Sequence, residues 1–93
     1  MARPPKTYRF RGERLRFIRE RPDPDSFGEC EPPGAPNRTI RVAPALDAET
    51  MLGTLIHEGT HACQPDLSED AVESIEESLT ALIWGEMVVR KRY

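Results

Sequence analysis

The sequence predicts an α+β fold, a small domain in which an N-terminal antiparallel β-hairpin and an edge strand pack on two antiparallel helices. Three observations carry this. Apolar and basic residues alternate near the N-terminus, apolar residues recur at helical spacing in two later segments, and a proline-rich stretch separates the two patterns. Ninety-three residues make one domain, 1–93. A chain this short buries only about 60–65% of the surface its unfolded form exposes, so its core is thin.

Residues 1–21 read as the hairpin. Tyr8, Phe10, Leu15 and Phe17 alternate with Arg9, Arg11, Arg14 and Arg16 around the turn Arg11-Gly12-Glu13-Arg14, giving one apolar and one basic face. Residues 22–37 hold Pro22, Pro24, Pro32, Pro33 and Pro36 with Gly28 and Gly34, and read as a long loop. Thr39-Ile40-Arg41-Val42 alternates again, so 38–43 reads as an edge strand.

The first helix spans 47–63. Asp47 is its N-cap, Pro65 stops it, and Leu52, Leu55, Ile56, Gly59 and Ala62 or Cys63 form its apolar stripe. The second helix spans 68–90, with Asp66 or Ser68 as cap and Val72, Ile75, Leu79, Leu82, Ile83 and Glu86 along its inner face. The connection Gln64–Ser68 is short, which makes the helices antiparallel neighbours.

The first helix carries His57-Glu58-Gly59-Thr60-His61, an H-E-x-x-H run holding the only two histidines of the chain. One helical turn puts both imidazoles on one face, where they can reach one metal ion. Glu58 sits beside that ion, where a carboxylate can take a proton from a bound water. This is the spacing of a zinc-dependent metallopeptidase. Thr54, His57, Glu58 and His61 share the face next to the apolar stripe.

A catalytic zinc needs a third protein ligand. No third histidine exists, and Cys63 falls on the far side of the helix from His61. A carboxylate of the second helix must supply it. Glu69 flanks the inner face close to where His61 ends the first helix. Glu73 lies level with the midpoint of the histidines but is turned toward solvent. Glu76 is angled inward yet lies too far down the hairpin. The sequence therefore nominates His57, His61 and Glu69 as metal ligands, with Glu73 as the alternative to Glu69 or as the residue that orients a ligand imidazole.

These residues resemble a known group. Thr54 to Cys63, followed by Pro65-Asp66-Leu67-Ser68-Glu69-Asp70-Ala71-Val72, is similar to the short zincin-like proteins of phage and bacterial genomes, a gluzincin catalytic core reduced to its minimum. Gly28-Glu29-Cys30-Glu31 and Arg38 to Val42 extend the resemblance, which covers about residues 28 to 85. It implies zinc on His57 and His61, Glu58 as general base, and a second-helix glutamate, best matched by Glu69, as third ligand. In zincins an edge strand beside the active-site helix commonly receives the substrate as an added strand, which nominates Thr39–Val42 for peptide docking.

The expected chemistry is zinc-assisted hydrolysis of a peptide bond in a peptide or protein substrate, with Glu58 passing the proton to the leaving amine. A donor for the developing oxyanion is not obvious; Tyr8, Tyr93 and the arginines are the candidates. The alternative is a non-catalytic zinc-binding or protein-interaction domain of the same fold.

Composition narrows the class. No apolar run approaches the roughly 20 residues of a membrane span and no apolar h-region follows Met1, so a cytoplasmic protein is expected. Two cysteines, Cys30 and Cys63, are too few for a disulfide framework; Cys63 reads as a small buried hydrophobe, and Cys30 as the same or as its partner under oxidising conditions. Charge is split: residues 1–46 hold ten Lys and Arg against six acids, residues 47–93 three against ten. A net charge of −3 and the lack of aromatics on the basic face argue against nucleic acid. The arginines are expected in solvent or offsetting the acidic second helix, with Arg90, Lys91 and Arg92 at the negative end of its dipole.

Overall fold

Alternation and turn chemistry build the first two strands. The computed structural model describes residues 5–89, in which β1 (Lys6–Phe10) and β2 (Glu13–Arg19) pair antiparallel with Tyr8 opposite Leu15. The two-residue loop Arg11-Gly12 has φ values of 53° and 84°. Two successive positive φ values fit a primed hairpin turn, whose twist matches that of the strands; Gly12 adopts its value freely and Arg11 carries the strain. Leu15 is fully buried and Phe10 and Phe17 half-buried, as the alternation predicts. Tyr8 stays exposed, with its ring edge-on to Phe17 at 6.2 Å.

Two further strands, β3 (Gly28–Cys30) and β4 (Thr39–Val42), complete a mixed sheet of order β1-β2-β4-β3. β4 runs parallel to β2, with Arg16 opposite Thr39, and antiparallel to β3, with Cys30 opposite Ile40. This corrects two expectations. Segment 38–43 is an inner strand and not an edge, and stretch 22–37 is not all loop, because it supplies the true edge, β3. Three residues flanked by proline-rich loops are too few to show an alternating pattern, yet they are enough to pair the outer side of β4. An inner position agrees with the burial of Thr39, Ile40 and Val42.

The charge pattern resolves inside the sheet. Arg41 reaches Glu31, Glu29 and Glu20 at 2.6, 3.1 and 3.4 Å, and buried Arg38 pairs with Glu13 at 2.6 Å. Arg9, Arg11, Arg14, Arg19 and Arg21 are exposed, the first of the two placements expected, while Arg38 and Arg41 pair with acids of the strands and loops. The strand register explains the pairing of Arg41: Glu29 lies directly opposite Arg41, nearer than any helical acid.

α1 (Ala48–Cys63) begins at Asp47, whose carboxylate accepts from the Thr50 N–H at 2.9 Å and from the Thr50 hydroxyl at 2.9 Å. It packs on β3, β4 and β1. Leu15, Ile40, Val42 and Ala62 form the core, flanked by Phe10, Phe17, Cys30, Leu46 and Met51. The inward line of α1 is Thr54, Glu58 and Ala62, while Leu55, expected in the stripe, is exposed.

The same rotation marks α2 (Glu69–Ile83), capped by Ser68 rather than Asp66. Its contacts with α1 run through Glu69, Glu76 and Thr80, and Val72 is fully buried. Leu79 and Leu82, expected on the inner face, are exposed. Glu76 takes an inner position because it has a partner on α1, and Leu79 and Leu82 fall on the outer side. At Trp84 the helix loosens into a π-helical segment, Trp84–Val89, so the expected single helix 68–90 is two kinds of helix. Arg90, Lys91, Arg92 and Tyr93 lie outside the described residues. Among those described, no helix is long and apolar enough to cross a membrane.

Among the described residues Leu15 is the largest fully buried side chain. Leu15→Ala is expected to cost about 2–5 kcal/mol, a large part of the stability of so small a domain, read as a fall in the urea midpoint. An unchanged midpoint would mean that the hairpin does not contribute to the core.

Candidate metal centre

Helical spacing puts His57 and His61 one turn apart on α1, with ring centroids 4.9 Å apart and planes at 66°. The short connection after Cys63 returns the chain so that the first residue of α2, Glu69, faces them. Its Oε1 lies 2.6 Å from His57 Nε2 and 3.3 Å from His61 Nε2. One ligand atom from each of the three residues falls within 4.8 Å of the others, so the cluster could hold a metal ion. The three nominated ligands are therefore together.

The residue behind His57 is Glu76, not Glu73. Glu76 Oε1 lies 2.8 Å from His57 Nδ1, whereas Glu73 is exposed on the wall of the cleft. Glu76 thus takes the orienting role expected of Glu73, while the cluster of possible ligands holds Glu69 and not Glu76. Seven residues bring a helix almost back to the same face, whereas four leave it about 40° away, so Glu76 aligns with Glu69 better than Glu73 does. That spacing was the available signal. A glycine also contributes: Gly53 of α1 is buried against the Glu76 carboxylate.

Burial and three carboxylates act on His57. Burial pulls its pKa down, but the Glu76 hydrogen bond, with the charges of Glu58 and Glu69, outweighs burial and leaves it raised. Burial likewise pushes Glu69 up, but its contacts with His61 and His57 win and hold it below the ordinary glutamate range. With the Nδ1 of His57 occupied by Glu76, its Nε2 is the nitrogen turned toward Glu69 and His61.

Glu58 lies on the adjacent face of α1, only 7% exposed, against β3. Burial raises its pKa, and the nearby imidazoles offset part of that effect. Gly28 makes the room: a Cβ there would meet Thr54 Cγ2 at 2.8 Å and Glu58 Cγ at 3.0 Å.

An open cleft of about 840 Å³ joins these groups, with β3 and its flanking loops on one side and α1 and α2 on the other. Hydrogen bonds from the Ala43 N–H to the Phe27 carbonyl and from the Glu31 N–H to the Thr39 carbonyl direct the odd-numbered residues of β3 toward β4. The backbone groups of Gly28 and Cys30 then point to the free side of the edge. The Gly28 carbonyl accepts from the Ser26 hydroxyl at 2.8 Å.

The expected oxyanion donors fare poorly. Tyr8 lines an apolar groove with Phe10, Phe17 and Leu55, away from the cleft, and Tyr93 lies outside the described residues. Arg38 does line the cleft, but its guanidinium is tied to Glu13 and, at 2.8 Å, to the Glu31 carbonyl. It also approaches Cys30 Sγ at 4.0 Å. Cys30 and Cys63 are free thiols, and both are half-buried. No family model, no curated protein and no solved structure matches the chain.

Burial pushes the Cys30 thiol up to about 11, against a partial offset from Arg38. In a Cys63→Ser chain at pH 8, Cys30 is expected to react with a thiol reagent on the order of a hundredfold more slowly than in urea, because the thiolate is the nucleophile. Equal rates in the folded and unfolded chain would show that the cleft does not bury it.

Proposed function

We propose that the chain is a zinc-dependent hydrolase of peptide bonds, akin to a metallopeptidase reduced to a helical hairpin and a small sheet. The observation that supports this most is the convergence of His57, His61 and Glu69 within 4.8 Å, with buried Glu58 on the adjacent face. Two imidazole nitrogens and one carboxylate oxygen suit zinc and leave a coordination position open for chemistry. The Glu76 carboxylate on His57 Nδ1 is the outer support that metal-bound imidazoles usually have.

Bound zinc would polarise a peptide carbonyl and make water acidic enough to attack near neutral pH. The remaining work belongs to the chain. Glu58 takes a proton from the water as its oxygen adds to the carbonyl carbon. It then gives that proton to the amine nitrogen as the C–N bond breaks. Its buried setting favours holding the proton between these events.

The docking role expected of Thr39–Val42 passes to β3, the edge that borders the cleft. A peptide laid along it would find the backbone N–H groups of Gly28 and Cys30 unpaired by β4, and these are the nearest substitutes for a side-chain oxyanion donor. One observation favours the second reading, a zinc-binding domain without turnover: the cleft's own cation, Arg38, is already engaged by Glu13 and the Glu31 carbonyl.

Elemental analysis and a general peptidase assay on four chains separate the readings. Wild type is expected to carry one zinc, Glu69→Ala to lose most of it, and Glu73→Ala to keep it. Glu58→Gln should keep zinc but lose at least about a hundredfold in hydrolysis, the usual contribution of a general base. Zinc without measurable hydrolysis in wild type would favour the non-catalytic domain. Wild type that stays metal-free after reconstitution would remove both.

A further inference from the structure

We infer that Gly53 is a positioning residue of the metal centre, seating the Glu76 carboxylate on His57 and thereby setting the cluster's affinity for zinc. The affinity consequence rests on the metal-centre reading; the seating of Glu76 does not.

Gly53 is buried in α1 one turn before His57. A Cβ built on it would lie 2.9 Å from Glu76 Oε2, 3.7 Å from Glu76 Cδ and 3.4 Å from Thr80 Oγ1. The carboxylate is thus wedged between two residues of α1, with Oε1 on His57 Nδ1 at 2.8 Å and Oε2 against the bare Cα of Gly53. Thr80 Oγ1 is buried and makes no hydrogen bond, so it closes the space behind the carboxylate without anchoring it. Gly53 has an ordinary helical backbone and needs none of the conformations that only glycine adopts. A glycine in mid-helix weakens the helix relative to alanine, so what it contributes here is space.

A methyl group at position 53 collides with the far end of a flexible side chain and not with backbone. The two helices can keep their places while Oε2 gives way. Because both oxygens belong to one planar carboxylate, a shift or turn that frees Oε2 changes the geometry of the Oε1 bond to His57. The imidazole then loses the partner that fixes its orientation, which typically weakens metal affinity between about ten- and a hundredfold.

The test compares wild type, Gly53→Ala, Glu76→Ala and the double variant. Zinc affinity is measured by chelator competition, and the His57 ring-nitrogen signals by NMR on the metal-free chains at one pH. Gly53→Ala is expected to lose about ten- to a hundredfold in affinity, with a melting midpoint equal to or above that of wild type. Its His57 Nδ1 signal should move to that of Glu76→Ala. In the Glu76→Ala background, Gly53→Ala should cause no further loss, because its whole effect passes through Glu76.

Unchanged affinity, or an equal loss in both backgrounds, would overturn the inference. So would a Gly53→Ala chain that fails to fold, since the helices and not Glu76 would then bear the collision. If wild type binds no zinc, the metal-centre reading fails by itself. The NMR signal still decides the seating: movement to the Glu76→Ala position supports it, and a wild-type signal overturns it.

Discussion

His57 stands between two carboxylates of the same neighbouring helix, Glu69 on one ring nitrogen and Glu76 on the other. Half-buried polar groups this close are costly unless each finds a partner, and here the partners come from opposite sides of an interhelical seam. The seam must therefore be narrow and its register fixed. Gly53 narrows it on α1, and the Ser68 cap fixes where α2 begins, so that Glu69 is the first helical residue to face the histidines. On the adjacent face of α1, Gly28 performs a similar service for Glu58, letting β3 lie against the helix that carries it.

Placing acids inward has a structural consequence. Both helices are turned from the orientation that would bury the most apolar surface. Glu58 is buried while Leu55 is exposed on α1, and Glu76 faces α1 while Leu79 and Leu82 remain in solvent on α2. Natural chains break local patterning rules mainly where a site requires it, and compensate elsewhere. Compensation here comes from the sheet, where β4 is paired on both sides and Arg38 and Arg41 are satisfied by glutamates of the surrounding strands and loops.

What the sequence made legible follows from signal length. The fold class, the hairpin, the boundaries of α1 and the residues His57, His61 and Glu69 were readable because caps, turn residues and periodicity each span many positions. β3 was not, since three residues between proline-rich loops carry no period, and missing it turned β4 into an edge. The helix faces differ from the periodic pattern for another reason: periodicity assumes that leucines win the interior, and in this chain Glu58 and Glu76 take inward positions instead. Glu76 lies far down the hairpin for a metal ligand, yet its seven-residue spacing from Glu69 puts both on one side of the helix.

The three candidate ligands and the carboxylate behind them all lie between His57 and Glu76, on one helix, one short connection and the next helix. Glu58 depends on more distant chain, because the wall it rests against is β3, which is held in turn by β4 and through it by β2. Loop-closure entropy separates these two halves of the site during folding. The helical hairpin has only a short loop to close for His61 to meet Glu69, whereas the parallel pairing of β2 with β4 must close a much longer one. The His57, His61 and Glu69 cluster is thus built from local chain, and the environment of Glu58 from distant chain. Damage to β3 would remove the wall on which Glu58 rests, whereas the seating of Glu69 and Glu76 on His57 is made between α1 and α2 alone.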